Sequence, residues 1–151
     1  MNIGFEKLDH TIARHMKNWG KPAIRISFAI IFFWFGILKP LGLSSAEALL
    51  KATVAWLPFG GADTWLYIIG WWEMLIGVTF LFKQTTKIAI ALLFLQMIGT
   101  FMPLVFLPEI TFQKGNYLLP TLEGQYIIKN VMILSGALVL GGAFYKSKKV
   151  K

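Results

Sequence analysis

The sequence predicts an all-α, polytopic membrane protein: a four-transmembrane-helix bundle with an amphipathic N-terminal helix and a short outer interfacial helix. Three observations lead there. The 151 residues are 56% hydrophobic and only 15% charged, against about 25% charged in soluble domains, and mean hydropathy is +0.64. The apolar residues collect in four blocks, each close to the length that crosses a hydrocarbon core of about 30 Å. The basic residues flank those blocks and form no polar domain of their own. One domain over 1–151 is therefore expected.

The leader "FEKLDHTIARHMKNW" sets Phe5, Leu8, Ile12, Met16 and Trp19 at steps of three and four among charged residues. That spacing predicts a short amphipathic helix on the membrane surface. No small-residue cleavage site follows it, so it does not read as a cleavable signal. Span one is expected over 23–39, bounded by Pro40. Next, "LSSAEALLKATVAWLPF" offers Ser44 and Glu47 as a capping box and Leu50, Val54 and Leu57 as an apolar stripe. It is too short to span. Span two is expected over 64–82, span three over 88–107 with a kink at Pro103, and span four over 125–144, ending in "YKSKKVK". The leader, the 83–87 link and the tail hold most basic residues, which predicts that both termini face the cytoplasm.

Composition also excludes function classes. The net charge of +8 comes from residues flanking spans, so no nucleic-acid partner is expected; the bilayer is. With no cysteine, thiol chemistry and thiolate metal sites are ruled out. His10 and His15 are five apart with no acidic ligand completing a site, so no metal is expected, and neither histidine lies inside a span to serve as a haem ligand. No phosphate-cradling glycine loop or nucleophile elbow is visible.

The polar residues inside the spans are the candidate site. In "GWWEMLIG", Gly70, Glu73 and Gly77 share one helix face. Small residues mark where membrane helices pack, so Glu73 is expected to point into the bundle. An ionisable group at that depth has a function or a partner. Arg25, Ala29, Phe32, Gly36 and Lys39 form one face of span one; Ala89, Gln96, Gly99 and Pro103 form a stripe on span three; Lys129 and Asn130 sit in the first turns of span four, before Gly136, Ala137 and Gly141. Counting from the outer ends at about 1.5 Å per residue puts Glu73 about 13 Å deep and Lys129 about 7 Å deep, within reach of a lysine side chain. The expected cluster is Glu73 with Lys129, Asn130 and Lys39. Gln96 reads as an interhelical hydrogen bond, and Arg25 as a cation reaching the cytoplasmic surface.

"RISFAIIFFWFGILK" at 25–39, "GWWEMLIG" at 70–77 and "EGQYIIKNVMILSGALVL" at 123–140 resemble the DoxX-like membrane proteins, closest to the YkgB branch that includes reactive chlorine resistance protein C. The resemblance runs through all four spans, on Arg25, Gly36, Lys39, Gly70, Glu73, Gly77, Lys129 and Asn130, although the first outer loop is shorter here than in the chlorine-response relatives. It implies a compact four-helix bundle of the bacterial inner membrane and an accessory role in membrane redox chemistry or oxidative-stress defence. Quinone is the implied candidate cofactor, an oxidoreductase the implied partner, and a homo-oligomer a further option. Two other classes stay open: a membrane assembly or chaperone-like factor, and a small proton-coupled transporter, for which four short spans leave little room.

Overall fold

The computed structural model describes the backbone of residues 3–148 and the side chains of residues 6 and 8–142. Phe5, Phe144 at the end of span four and the basic tail fall outside the described side chains. Among the described residues the order is α1 (Ile3–Leu38), α2 (Glu47–Val54), α3 (Gly61–Leu81), α4 (Thr86–Phe101), α5 (Pro103–Phe106), α6 (Pro108–Thr111) and α7 (Leu122–Lys148). Their only extended pairing is an isolated bridge between Phe112 and Pro120. Four helical segments are long and apolar enough to cross a membrane: 8–38, 61–81, 83–106 and 122–142. This is a multi-pass, all-α membrane bundle.

Its core is apolar and central. Phe28, Ala29 and Phe32 of α1 meet Ile76 and Phe80 of α3, Ala89, Leu93 and Met97 of α4, and Ala137 and Leu140 of α7. Phe28 packs edge-on against Phe80, ring centroids 5.3 Å apart. The most extensive contact in the bundle is between α1 and α3, and glycine makes it possible. A Cβ at Gly77 would lie 2.5 Å from the Phe33 nitrogen, and one at Gly36 would lie 2.7 Å from the Met74 nitrogen. These obstacles are backbone, which cannot swing aside. The small face read from span two therefore packs on α1.

That packing fixes the register of the two antiparallel helices. Gly77 lies against Ala29 and Phe33, and Gly70 lies against Gly36, Lys39 and Pro40. At the C-terminal end of α3, Arg25 Nη1 donates to the Leu81 carbonyl at 3.3 Å, where a cation also meets the negative end of the helix. With 21 residues, α3 is about 30 Å long and matches the hydrocarbon core. By this register α1 turns back opposite Gly70, short of the Gly61 end of α3 by about 14 Å at about 1.5 Å per residue. The turn and α2 occupy the remaining depth, with α2 packed on α3.

Two prolines end helices by the same device. Pro40 has no N–H for the Gly36 carbonyl, and Lys39 N donates there at 3.2 Å instead; Pro103 has none for Gly99, and Met102 N substitutes at 3.2 Å. After Pro40, Gly42 adopts φ +67°, which glycine takes without steric cost. Gly42 N then bonds to Lys39 O, and Leu43 N to Leu38 O at 2.9 Å, so the last carbonyls are satisfied at depth.

Two expectations need correction. The leader is not a separate helix: α1 runs from Ile3 through Pro22 to Leu38. Proline removes one hydrogen bond but does not always end a helix. The capping box is not formed either: Ala46 is the N-cap, with no side-chain bond. Glu47 instead pairs with Lys51 at 2.6 Å, and Lys51 also pairs with Asp63 at 2.6 Å, tying α2 to the first turn of α3. The bonds to Asp63 and then Glu47 raise the Lys51 ammonium above its ordinary value. On the alkaline side, the stabilisation carried by this shift is lost as pH rises from the ordinary lysine value, about 10.4, through the raised one. Pro103 interrupts span three as expected: α4 stops at Phe101 and α5 begins at Pro103, while Met102 keeps helical angles and the span continues to Phe106.

Gly77→Leu should lower the thermal stability of the detergent-solubilised bundle, on the order of 1–3 kcal/mol or more by overpacking. Gly99, whose Cβ would meet nothing within 4 Å, is the control: Gly99→Ala should be neutral or stabilising by roughly 0.5–1 kcal/mol. Equal losses at both positions would show that the α1–α3 contact is not a backbone approach.

Candidate functional site

The polar centre of the bundle lies where α1 ends against the middle of α3. Gly36 and Gly70 bring the backbones together there, and the chain then places Lys39 immediately beyond α1 and beside Glu73. Lys39 Nζ donates to Glu73 Oε2 and to the Phe35 carbonyl at 3.3 Å. From α4, Gln96 Nε2 donates to Glu73 Oε1 at 3.0 Å. Both carboxylate oxygens are thus engaged, one by a cation and one by an amide. The Lys39 and Glu73 side chains are only 7% and 14% exposed.

A carboxylate and an ammonium in a low-dielectric interior are tolerable only when paired and hydrogen-bonded. Here that requirement is met from three elements at once: the end of α1, the middle of α3 and α4. No buried side-chain nitrogen or oxygen among the described residues lacks a partner. Chemically, the arrangement is a closed electrostatic tie. It can hold three helices in one register, and it can respond to a proton only by breaking the pair.

Of the sequence-predicted residues, the structure brings together Glu73, Lys39 and Gln96. It does not bring in Lys129 or Asn130. Lys129 is exposed, with Nζ 5.2 Å from the Tyr126 ring centroid. Asn130 Nδ2 bonds back to the Tyr126 and Ile127 carbonyls, both at 3.1 Å. The rotation of α7 explains the correction. Its buried positions are Gly124, Ile127, Ala137 and Leu140, and Lys129, two residues from Ile127, falls on the opposite side. Gly124 sets this rotation, since a Cβ there would lie 2.1 Å from the Thr111 carbonyl oxygen. A stripe of small and apolar residues beginning at Gly124 was the available signal. Arg25 stands apart from the cluster, at the C-terminal end of α3.

A second feature surrounds Trp71 and Trp72, a pair that by sequence reads as packing or lipid contact. Thr64, Tyr67, Ile68, Trp71, Trp72 and Leu75 line a shallow groove of about 470 Å³ along α3. Trp72 also packs against the core, while Trp71 is exposed. The groove opens outward, on the side of the helix that a bilayer would cover.

Comparison with protein-family models, with curated proteins and with solved structures gave no match.

Lys39→Met, which strands Glu73, should cost about 3–5 kcal/mol of stability. Gln96→Leu should cost about 1–3 kcal/mol. Lys129→Met should change stability by less than about 0.5 kcal/mol, as exposed positions do. Reversible unfolding of the three variants in one detergent checks the order; a loss at Lys129 equal to that at Lys39 would move the ion pair to α7.

Proposed function

We propose that the chain is a DoxX-like accessory subunit of the bacterial inner membrane, serving a redox or oxidative-stress-defence partner, with both termini in the cytoplasm. The observation that carries the reading is the Lys39–Glu73–Gln96 tie, with no buried side-chain nitrogen or oxygen among the described residues left without a partner. Such a site stiffens a scaffold. It does not resemble a solvated path for a transported ion, and this counts against the transporter reading. With no cysteine in the sequence, thiol redox chemistry must come from elsewhere, which fits an accessory role beside an oxidoreductase. The family resemblance on Arg25, Lys39, Glu73 and Lys129 supports the same reading.

Quinone enters as the ligand of the groove on α3. Tyr67, Trp71 and Trp72 offer aromatic faces for a ring to stack on, and the opening lies where a lipid-soluble molecule would arrive. The tie beside it would hold Trp72 and the α3 backbone in place. The orientation rests on Arg25, Lys83 and Lys87 near the inner ends of α1, α3 and α4, against the acidic Glu47, Asp63, Glu109 and Glu123 of the opposite loops.

Native mass spectrometry of protein extracted from its own membrane in mild detergent tests the role. The expected result is a complex with a flavin- or haem-bearing protein, or retained quinone that Trp71→Ala releases. Co-purification with unrelated membrane segments alone would favour the assembly-factor reading. For topology, a reporter fused after Lys151 should be active only when it is a cytoplasmic type; activity from a periplasm-only reporter would overturn the orientation.

A further inference from the structure

The register of α1 against α3 has a consequence at the inner end. Arg25 is level with Leu81, the last residue of α3. Ile24 still packs on the core and against Gly136; the part of α1 before it runs past the end of α3, by about 32 Å for residues 3–23 at about 1.5 Å per residue. Every described side chain from Glu6 to Trp19 is exposed. Leu8, Ile12, Met16 and Trp19 nevertheless share one face, at 56%, 49%, 70% and 66% exposure. A helix with such a stripe is not at rest in water.

We propose that this arm docks on the anionic inner leaflet of the bilayer that the chain itself spans, bending at Gly20–Pro22 to lay Leu8, Ile12, Met16 and Trp19 into the headgroup–acyl boundary. Three observations select that occupant. The arm is tethered at the membrane edge, so its effective concentration at the surface is high. Its charge is complementary: four basic and two acidic residues lie between Glu6 and Lys21, followed by Arg25, and Lys83 and Lys87 flank the adjoining turn. Like-charged arms of two copies repel each other, whereas anionic headgroups attract both. The joint is also weak where a bend is needed. Pro22 gives no N–H to the Asn18 carbonyl, and Gly20 has no neighbour within 4 Å of a Cβ position. Trp19, next to this joint, is a residue that anchors at interfaces.

The arm would thus confine the cytoplasmic face of the protein to the membrane surface and make its posture depend on lipid charge. This inference takes the cytoplasmic side of the arm from the orientation proposed above and does not rest on the redox reading.

Because the chain has no cysteine, single labels can be placed in the full-length protein. Met16→Cys and Lys17→Cys carry a spin label on the apolar and polar faces. Both variants are reconstituted in nanodiscs of phosphatidylcholine alone or with phosphatidylglycerol. With phosphatidylglycerol, the label at 16 should be accessible to oxygen and shielded from an aqueous nickel chelate, and the label at 17 should stay open to the chelate. The shielding at 16 should fall several-fold in phosphatidylcholine alone and in about 1 M salt, where the screening length drops to about 3 Å. Three results would overturn the proposal. One is chelate access at both positions with phosphatidylglycerol present. Another is shielding at 16 that ignores lipid charge and salt. The third is dipolar broadening between labels at 16, which would mean that a second copy covers the stripe.

Discussion

Two backbones in direct contact set the rest of this molecule. Lipid tails are as apolar as leucine, so membrane helices gain little from burying apolar surface against each other; close packing and polar contacts must hold them. Between α1 and α3, Gly36, Gly70 and Gly77 reduce the separation until main-chain atoms touch the facing helix. At that distance a lysine just beyond one helix can reach a glutamate in the middle of the other. Glycine sets the spacing, and the ion pair then fixes the axial position. A slip of one turn would move Lys39 away from Glu73 by about 5.4 Å and strand both charges.

From that register the uneven layout of the bundle follows. The spanning part of α1 ends well below the outer end of α3, and irregular backbone is tolerable at such depth only if its polar groups are satisfied. The turn at 39–43 satisfies them through Lys39 N, Gly42 N and Leu43 N, and α2 covers the gap, held by Lys51 to Asp63. At the other end α1, with 36 residues, continues past Leu81, the last residue of α3, as the amphipathic arm.

The spans and the inward face of α3 were legible in the sequence because hydropathy and small-residue spacing are local properties of one helix. Glu73 could be placed inside the bundle for the same reason. Its partner was harder to read. Lys129 and Lys39 both had the reach, and choosing between them needed the rotation of α7 and the depth at which α1 ends. Neither is local: Gly124 against Thr111 sets the rotation, and Gly36 against Gly70 sets the depth. Ser44 and Glu47 had capping-box spacing, but the pairing of Glu47 with Lys51 and the N-cap at Ala46 replaced it. The leader read as a helix of its own, yet α1 runs from it through Pro22 into the first span, since proline costs one hydrogen bond and helix continues on both sides.

The central claim is that Lys39 and Glu73 act as one unit. A double-mutant cycle on stability tests it most directly, with Lys39→Met, Glu73→Leu and the pair measured by reversible unfolding in one detergent. The account predicts that the double variant is far less destabilised than the sum of the singles, with a coupling of about 2 kcal/mol or more, because removing both charges leaves neither stranded. Additivity within about 0.5 kcal/mol, the behaviour of residues that do not touch, would contradict it.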